Sequence, residues 1–223
     1  MSTSIAIPRF ITSTIGKKVV MAVTGVVLFG FTIGHMLGNL QVYQGPEKLN
    51  AYAAFLKATP ALLWGVRIIL LVSVIAHIWA AVSLTNTNSR ARPVGYANRS
   101  WREGSYASRT MMWSGPILFL FIVYHLLHFT TGQVHPQFDE HDVYANFIIG
   151  FQDWRVSAFY ILGMAALGFH LWHGAFSFFQ SLGLRNPAWV RGMRIFATTT
   201  TLIVTLANIS FPLAVLGGFL QLE

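Results

Sequence analysis

The chain has 223 residues, 54% hydrophobic and only 10% charged, with a mean hydropathy of +0.56. This excludes an ordinary soluble domain and predicts a polytopic membrane protein, all-α, folded as a single domain over residues 1–223. The absence of cysteine excludes a thiolate-ligated iron-sulfur cluster, a disulfide or a c-type haem attachment within the chain, and leaves histidine as the soft ligand it offers. The net charge of +8 is confined to the connections between apolar runs, so it points to the lipid bilayer surface as partner and not to nucleic acid.

Five runs are long enough to cross about 30 Å of hydrocarbon at about 1.5 Å per residue. They lie near 18–41, 61–85, 110–131, 155–181 and 194–219. The preceding segment lacks a short apolar run followed by a small-residue cleavage site, so no cleaved signal peptide is expected. Between the first two runs, Gly45 and Pro46 predict a turn, and the residues to Lys57 predict a short amphipathic helix on the outer surface. Between the third and fourth runs, HPQFDEHDVYAN reads as an acidic outer loop.

Orientation follows from the basic residues. Arg9, Lys17, Lys18, Arg90, Arg92, Arg99, Arg102, Arg109, Arg185, Arg191 and Arg194 fall on one side, eleven of the fifteen. The other side holds Glu47, Asp139, Glu140, Asp142, Asp153 and Glu223, with only Lys48 and Lys57 in its loops. The positive-inside rule therefore predicts a cytoplasmic N-terminus.

Each of the first four runs carries histidine where an ionisable ring is costly and calls for a named partner. His35 lies in the first, His77 in the second, His125 and His128 in the third, and His170 and His173 in the fourth. Counting from the inner ends puts His35 and His125 roughly 22 to 26 Å from the cytoplasmic edge, and His77 and His170 roughly 12 to 17 Å from it. Two pairs stacked about 10 Å apart are what two bis-histidine b haems would require, one imidazole on either side of each ring. The first four helices are then the haem-binding bundle.

Small residues on the histidine faces, Ala166 and Gly174, Ser73 and Ala81, and Gly38, would admit a flat macrocycle; equally, they allow close helix packing. The competing readings are histidines bonded to a neighbouring helix, and a proton-conducting or transport path. Such paths commonly recruit intramembrane Asp or Glu, which these runs lack. His128 and His173 stand one turn from a proposed ligand, where they would bond a haem propionate or carry protons; using either as the ligand spoils the depth match by about 4.5 Å. Arg67 sits at the outer interface, either snorkelling to the surface or pairing with the outer haem's propionates.

The pattern G-K-K-x-x-M-A-x-T-G leading to G-H-x-x-G-N, one histidine in each of the next three helices, and H-L-W-H-G-A-F-S-F-F-Q-S-L-G in the fourth resembles the cytochrome b membrane anchor of complex II. The likeness is to the single-chain, five-helix, di-haem form of succinate dehydrogenase and quinol:fumarate reductase, and it runs from about Ser13 to Leu220. It implies a respiratory-chain and tricarboxylic acid cycle subunit in the bacterial cytoplasmic (inner) membrane. Such a subunit fixes a flavoprotein and an iron-sulfur protein to the cytoplasmic face and passes electrons through two haem b to menaquinone. The resemblance also carries the axial ligands onto His35 and His125 for the haem distal to the dehydrogenase, and onto His77 and His170 for the proximal one. The dicarboxylate chemistry would then belong to partner subunits, since this chain has no nucleotide fingerprint.

For the quinone, the resemblance offers Ser13 with Lys17 or Lys18 near the start of the first helix. The same residues also read as an N-cap and ordinary positive-inside lysines. Glu47 is an outer acid close to the first helix. Two other functions fit the histidines: a di-haem cytochrome b anchoring another quinone-linked oxidoreductase such as a hydrogenase, and a colourless small transporter. On the charge argument, a reporter fused after Glu223 is expected to be active outside the cytoplasm; a cytoplasmic reporter would contradict the orientation.

Overall fold

A computed structural model describes residues 10–91 and 106–222. Arg9, Arg92, Arg99, Arg102 and Glu223, on which part of the orientation rests, lie outside the described residues. The described residues contain helices and no strand.

Helix α1, Thr14–Asn39, begins four residues before the predicted apolar run. Ser13 is its N-cap, accepting from the Gly16 N–H at 3.0 Å, which satisfies a donor the helix start would otherwise orphan. The chain continues through a 3-10 turn, Leu40–Gln44, to Gly45, whose φ of 91° suits a residue without Cβ. Helix α2, Pro46–Ala58, starts on Pro46, and helix α3, Pro60–Arg90, starts on Pro60; proline is favoured there because its missing N–H is one the first turn leaves unbonded. Helix α4 spans Tyr106–Phe129.

Sequence alone missed the next helix. What reads as the end of an acidic loop is helix α5, Val143–Gln152, capped by Asp142, which accepts from the Ala145 N–H at 2.9 Å. Its Tyr144, Asn146, Phe147, Ile148 and Phe151 are buried, so it is an apolar plug and not a solvated loop. Helix α6, Trp154–Ser181, follows after the single corner residue Asp153 and ends at Gly183, with φ of 74°. Helix α7 is Val190–Leu216.

Among the described residues, four stretches are long and apolar enough to cross a membrane: Thr14–Gln44, Pro60–Arg90, Trp154–Ser181 and Val190–Leu216. In α4 the apolar stretch is Trp113–Phe129. Long helices pack α1 on α3, α4 on α6, and α6 on both α1 and α7. Their outward faces carry large apolar side chains such as Leu71, Leu120, Leu162 and Leu206, more than 60% exposed, a surface suited to lipid.

The core has two parts. Phe29, Met36, Leu171, Ala175, Ala197 and Val204 fill the junction of α1, α6 and α7. At the other part, Val42, Leu49, Phe147, Ile148 and Phe151 from the short elements pack against Phe121, Tyr160 and Phe211. Helix α2 is therefore not a free surface helix. It packs on α5, where Asn50 donates to Asp142 Oδ1 at 3.0 Å and accepts from the Tyr144 N–H at 2.9 Å, while Lys57 Nζ donates to the Glu140 carbonyl.

Contact between α4 and α6 depends on Gly163. A Cβ there would stand 2.4 Å from the Phe121 ring, whereas one at Gly65 meets nothing within 4 Å. Gly163→Ala is expected to lower stability by about 1–3 kcal/mol through overpacking. Gly65→Ala should be neutral or gain up to about 1 kcal/mol from helix propensity. Thermal melts of the two purified variants make the comparison.

Candidate functional site

Helical periodicity gathers the histidines. Ser114, Leu118, Phe121, His125 and His128 recur at three- and four-residue spacing, so they share one face of α4. The same spacing puts Ser73, His77, Ala80 and Leu84 together on α3, and Thr24, Phe31 and His35 together on α1.

Two imidazole pairs result. The His35 and His125 rings stand 5.8 Å apart between centres and 82° to one another. Those of His77 and His170 stand 6.3 Å apart at 58°. These are the residues that depth arithmetic grouped. The His35 and His125 pair lies toward the short-helix end, because Phe129, beside His125, contacts Phe147 and Phe151 of α5; it is called the outer pair, and the other the inner.

The ring nitrogens have partners. His77 Nδ1 is 3.1 Å from Thr24 Oγ1 on α1, and His170 Nδ1 is 3.1 Å from Ser114 Oγ on α4. In the outer pair, Asn39 Nδ2 donates to His35 Nε2 at 3.3 Å, and His125 Nδ1 lies 3.4 Å from the Tyr160 hydroxyl. That hydroxyl is also 3.0 Å from Nδ1 of His128, whose side chain is 1% exposed.

Two imidazoles bound on opposite sides of one iron have each nitrogen about 2 Å from the metal and each ring centre about 1.2 Å behind it, so centres fall about 6.4 Å apart. The inner pair, at 6.3 Å, comes within about 0.1 Å of that spacing, and the outer pair, at 5.8 Å, is about 0.6 Å short of it. The donor set therefore fits bis-histidine ligation. Space around it is uneven. A Cβ on Gly174, one turn from His170, meets nothing within 4 Å, but one on Gly38 would stand 2.8 Å from the Tyr52 ring, so Gly38 makes room for α2 and not for a macrocycle.

The other candidates have these surroundings. His173 is half-buried. Arg67 is exposed, its guanidinium 5.0 Å from the centre of the Trp64 ring. The Ser13 hydroxyl donates to the Phe10 carbonyl at 2.6 Å as well as capping α1, so both its hydrogen and a lone pair are engaged. Lys17 is half-buried and Lys18 exposed; Glu47 is exposed in the first turn of α2, where the helix dipole favours an acid.

Sequence reasoning overlooked Thr24, Ser114, Asn39, Tyr160 and His135. Thr24 had a signal, since counting from the inner ends puts it within about one turn of the level of His77, whereas Ser114 counts about two turns nearer the cytoplasmic edge than His170. His135 had none. It reads as loop, yet it is buried, with Nε2 donating to the Asn146 carbonyl at 2.8 Å and Nδ1 accepting from the Gln137 N–H at 3.1 Å, and so pins the connection to α5.

A bundle of long, lipid-compatible helices with histidines in its interior has the architecture of an integral membrane protein. The chain belongs to the succinate dehydrogenase/fumarate reductase transmembrane subunit family, whose model matches residues 88–206, more than half of its length. The matched stretch includes His125, His128, His170 and His173 and leaves out His35 and His77. Neither a curated protein nor a solved structure matches the chain.

Tyr160 joins two of these histidines. Tyr160→Phe would leave the buried Nδ1 of His128 without that partner, and is expected to cost about 0.6–2 kcal/mol. Thermal unfolding of the purified variant measures it; an unchanged melting temperature would dismiss the hydrogen bond as a stabilising contact.

Proposed function

We propose that this chain is a di-haem cytochrome b anchor of complex II, with five transmembrane helices and a cytoplasmic N-terminus, carrying electrons between an iron-sulfur subunit and menaquinone. The observation that carries the reading is the pair of imidazole couples, at 5.8 and 6.3 Å, drawn from four different long helices. The family supports the anchor role and favours complex II over a hydrogenase anchor.

His35 and His125 would hold the haem distal to the dehydrogenase, and His77 and His170 the proximal one. Bound there, the haems supply one-electron carriers between the partner's clusters and the quinone. The chain's own residues fix where those carriers stand. Packing of α1 on α3 and of α4 on α6 sets the height of each imidazole, and the apolar outer faces, set in lipid, would keep water from both levels. The arginine-bearing connections would form the side on which flavoprotein and iron-sulfur subunits dock, while His128 and His173 stand about one turn from a ligand without binding iron, and Arg67, at the outer interface, would pair with the outer haem's propionates. Ser13, Lys17 and Lys18 lie at the start of α1, where a quinone headgroup arriving from the docked side would meet them.

A pyridine haemochrome assay on the purified complex is expected to give two haems b per copy of this chain. Fewer would overturn the reading. His77→Ala and His170→Ala should each abolish one and the same low-spin EPR signal, and His35→Ala and His125→Ala the other, because bis-histidine iron needs both imidazoles. Loss of the same signal in His35→Ala and His170→Ala would refute the pairing.

A further inference from the structure

We propose that Thr24 and Ser114 are positioning residues for the inner histidine pair, each accepting the Nδ1–H of an imidazole on the neighbouring helix and thereby presenting Nε2 as the nitrogen that faces iron. The proposal rests on the di-haem reading.

The direction of each hydrogen bond follows from counting hydrogens. Thr24 Oγ1 lies 2.7 Å from the Val20 carbonyl and 3.2 Å from that of Met21. A hydroxyl has one hydrogen, and in helices it is given to a carbonyl of the preceding turn. Thr32, Thr85 and Thr87 do so here, each at 2.9 Å from the carbonyl four residues earlier. Toward His77, 3.1 Å away, Thr24 therefore offers lone pairs, and Nδ1 is the donor. Ser114 Oγ lies 3.2 Å from the Met111 carbonyl and 3.1 Å from His170 Nδ1, the same arrangement on another helix. With Nδ1 protonated, the lone pair of each neutral ring is on Nε2.

The two contacts form a matched set. Thr24 on α1 holds His77 on α3, and Ser114 on α4 holds His170 on α6, so each imidazole is fixed between its own helix and the one packed against it. Helix α1 also approaches the His77 ring at Gly25, where a Cβ would lie 3.5 Å from Cε1. The outer pair has no such set. The His35 partner is Asn39, on its own helix and at Nε2, and Tyr160 is shared between His125 and His128.

A hydrogen bond accepted from a ligating imidazole orients the ring and raises its basicity, which favours oxidised iron. Removing either hydroxyl should raise the midpoint potential of the inner haem alone. Hydroxyls that serve only as packing predict no such shift once shape is kept.

The test uses the intact complex carrying Thr24→Val, Thr24→Ser, Ser114→Ala or Ser114→Thr, with redox titration and low-temperature EPR of both ferric haems. The inner haem is the one whose signal His77→Ala removes. Thr24→Val and Ser114→Ala are each expected to raise its potential and shift its EPR g-values, leaving the outer haem unchanged, while Thr24→Ser and Ser114→Thr stay at the wild-type values. Loss of the inner haem in Thr24→Val with retention in Thr24→Ser also supports a hydroxyl requirement. Unaltered potential and EPR in Thr24→Val and Ser114→Ala, or equal loss in Thr24→Val and Thr24→Ser, overturns the proposal. A wild-type complex with fewer than two haems defeats the di-haem reading instead, so the two failures are distinguishable.

Discussion

Hydrocarbon offers polar groups no partner, so each imidazole or hydroxyl carried into the bundle needs one supplied by the protein. That constraint shapes the interior. His77 is met by Thr24, His170 by Ser114, and His128 by Tyr160, in each case by a residue on another helix. Helices that share such a bond cannot slide along one another without breaking it, so polar pairs fix the vertical register that apolar packing alone leaves loose. Thr201 and Thr205 on α7 depart from the rule, with buried hydroxyl oxygens that have no hydrogen-bond partner among the described residues.

The same constraint explains the contrast between the two ends. At the short-helix end, two polar connections would otherwise leave backbone groups near the membrane unsatisfied. They fold instead into α2 and α5, which bond through Asn50 and Asp142 and bury Leu49, Phe147 and Ile148. Tyr144 reaches from α5 to the Gln221 carbonyl at 3.1 Å, tying the end of the chain to the same cap. Aromatic rings surround the third-run histidines: Phe121, Phe129 and Tyr160 stand 6.0, 5.9 and 6.0 Å from the ring of His125, and Phe129 stands 4.2 Å from that of His128.

The two histidine levels differ chemically as well as in depth. The inner imidazoles have Nδ1 occupied by hydroxyl oxygen and Nε2 left for a ligand. In the outer pair, Asn39 already donates to His35 Nε2, so the iron ligation proposed there would exchange an amide for a metal. Two centres built from the same residue type can thus have different potentials, because hydrogen bonding at the far nitrogen tunes ligand strength.

Much of this was legible in the sequence. Apolar length placed the long helices to within about five residues, and one histidine per helix, counted from the basic ends, grouped His35 with His125 and His77 with His170 before any contact was known. Depth is readable because helix rise is fixed at about 1.5 Å per residue and the bilayer fixes the ends. Azimuth between neighbouring helices is not fixed that way. It depends on side-chain packing such as Phe121 against Gly163, so only the tertiary structure could select Thr24 and Ser114 among the many hydroxyls of the long helices. Helix α5 escaped for a related reason: ten residues are too few to signal a span, and its apolar face has meaning only once α2, α6 and α7 are present to bury it.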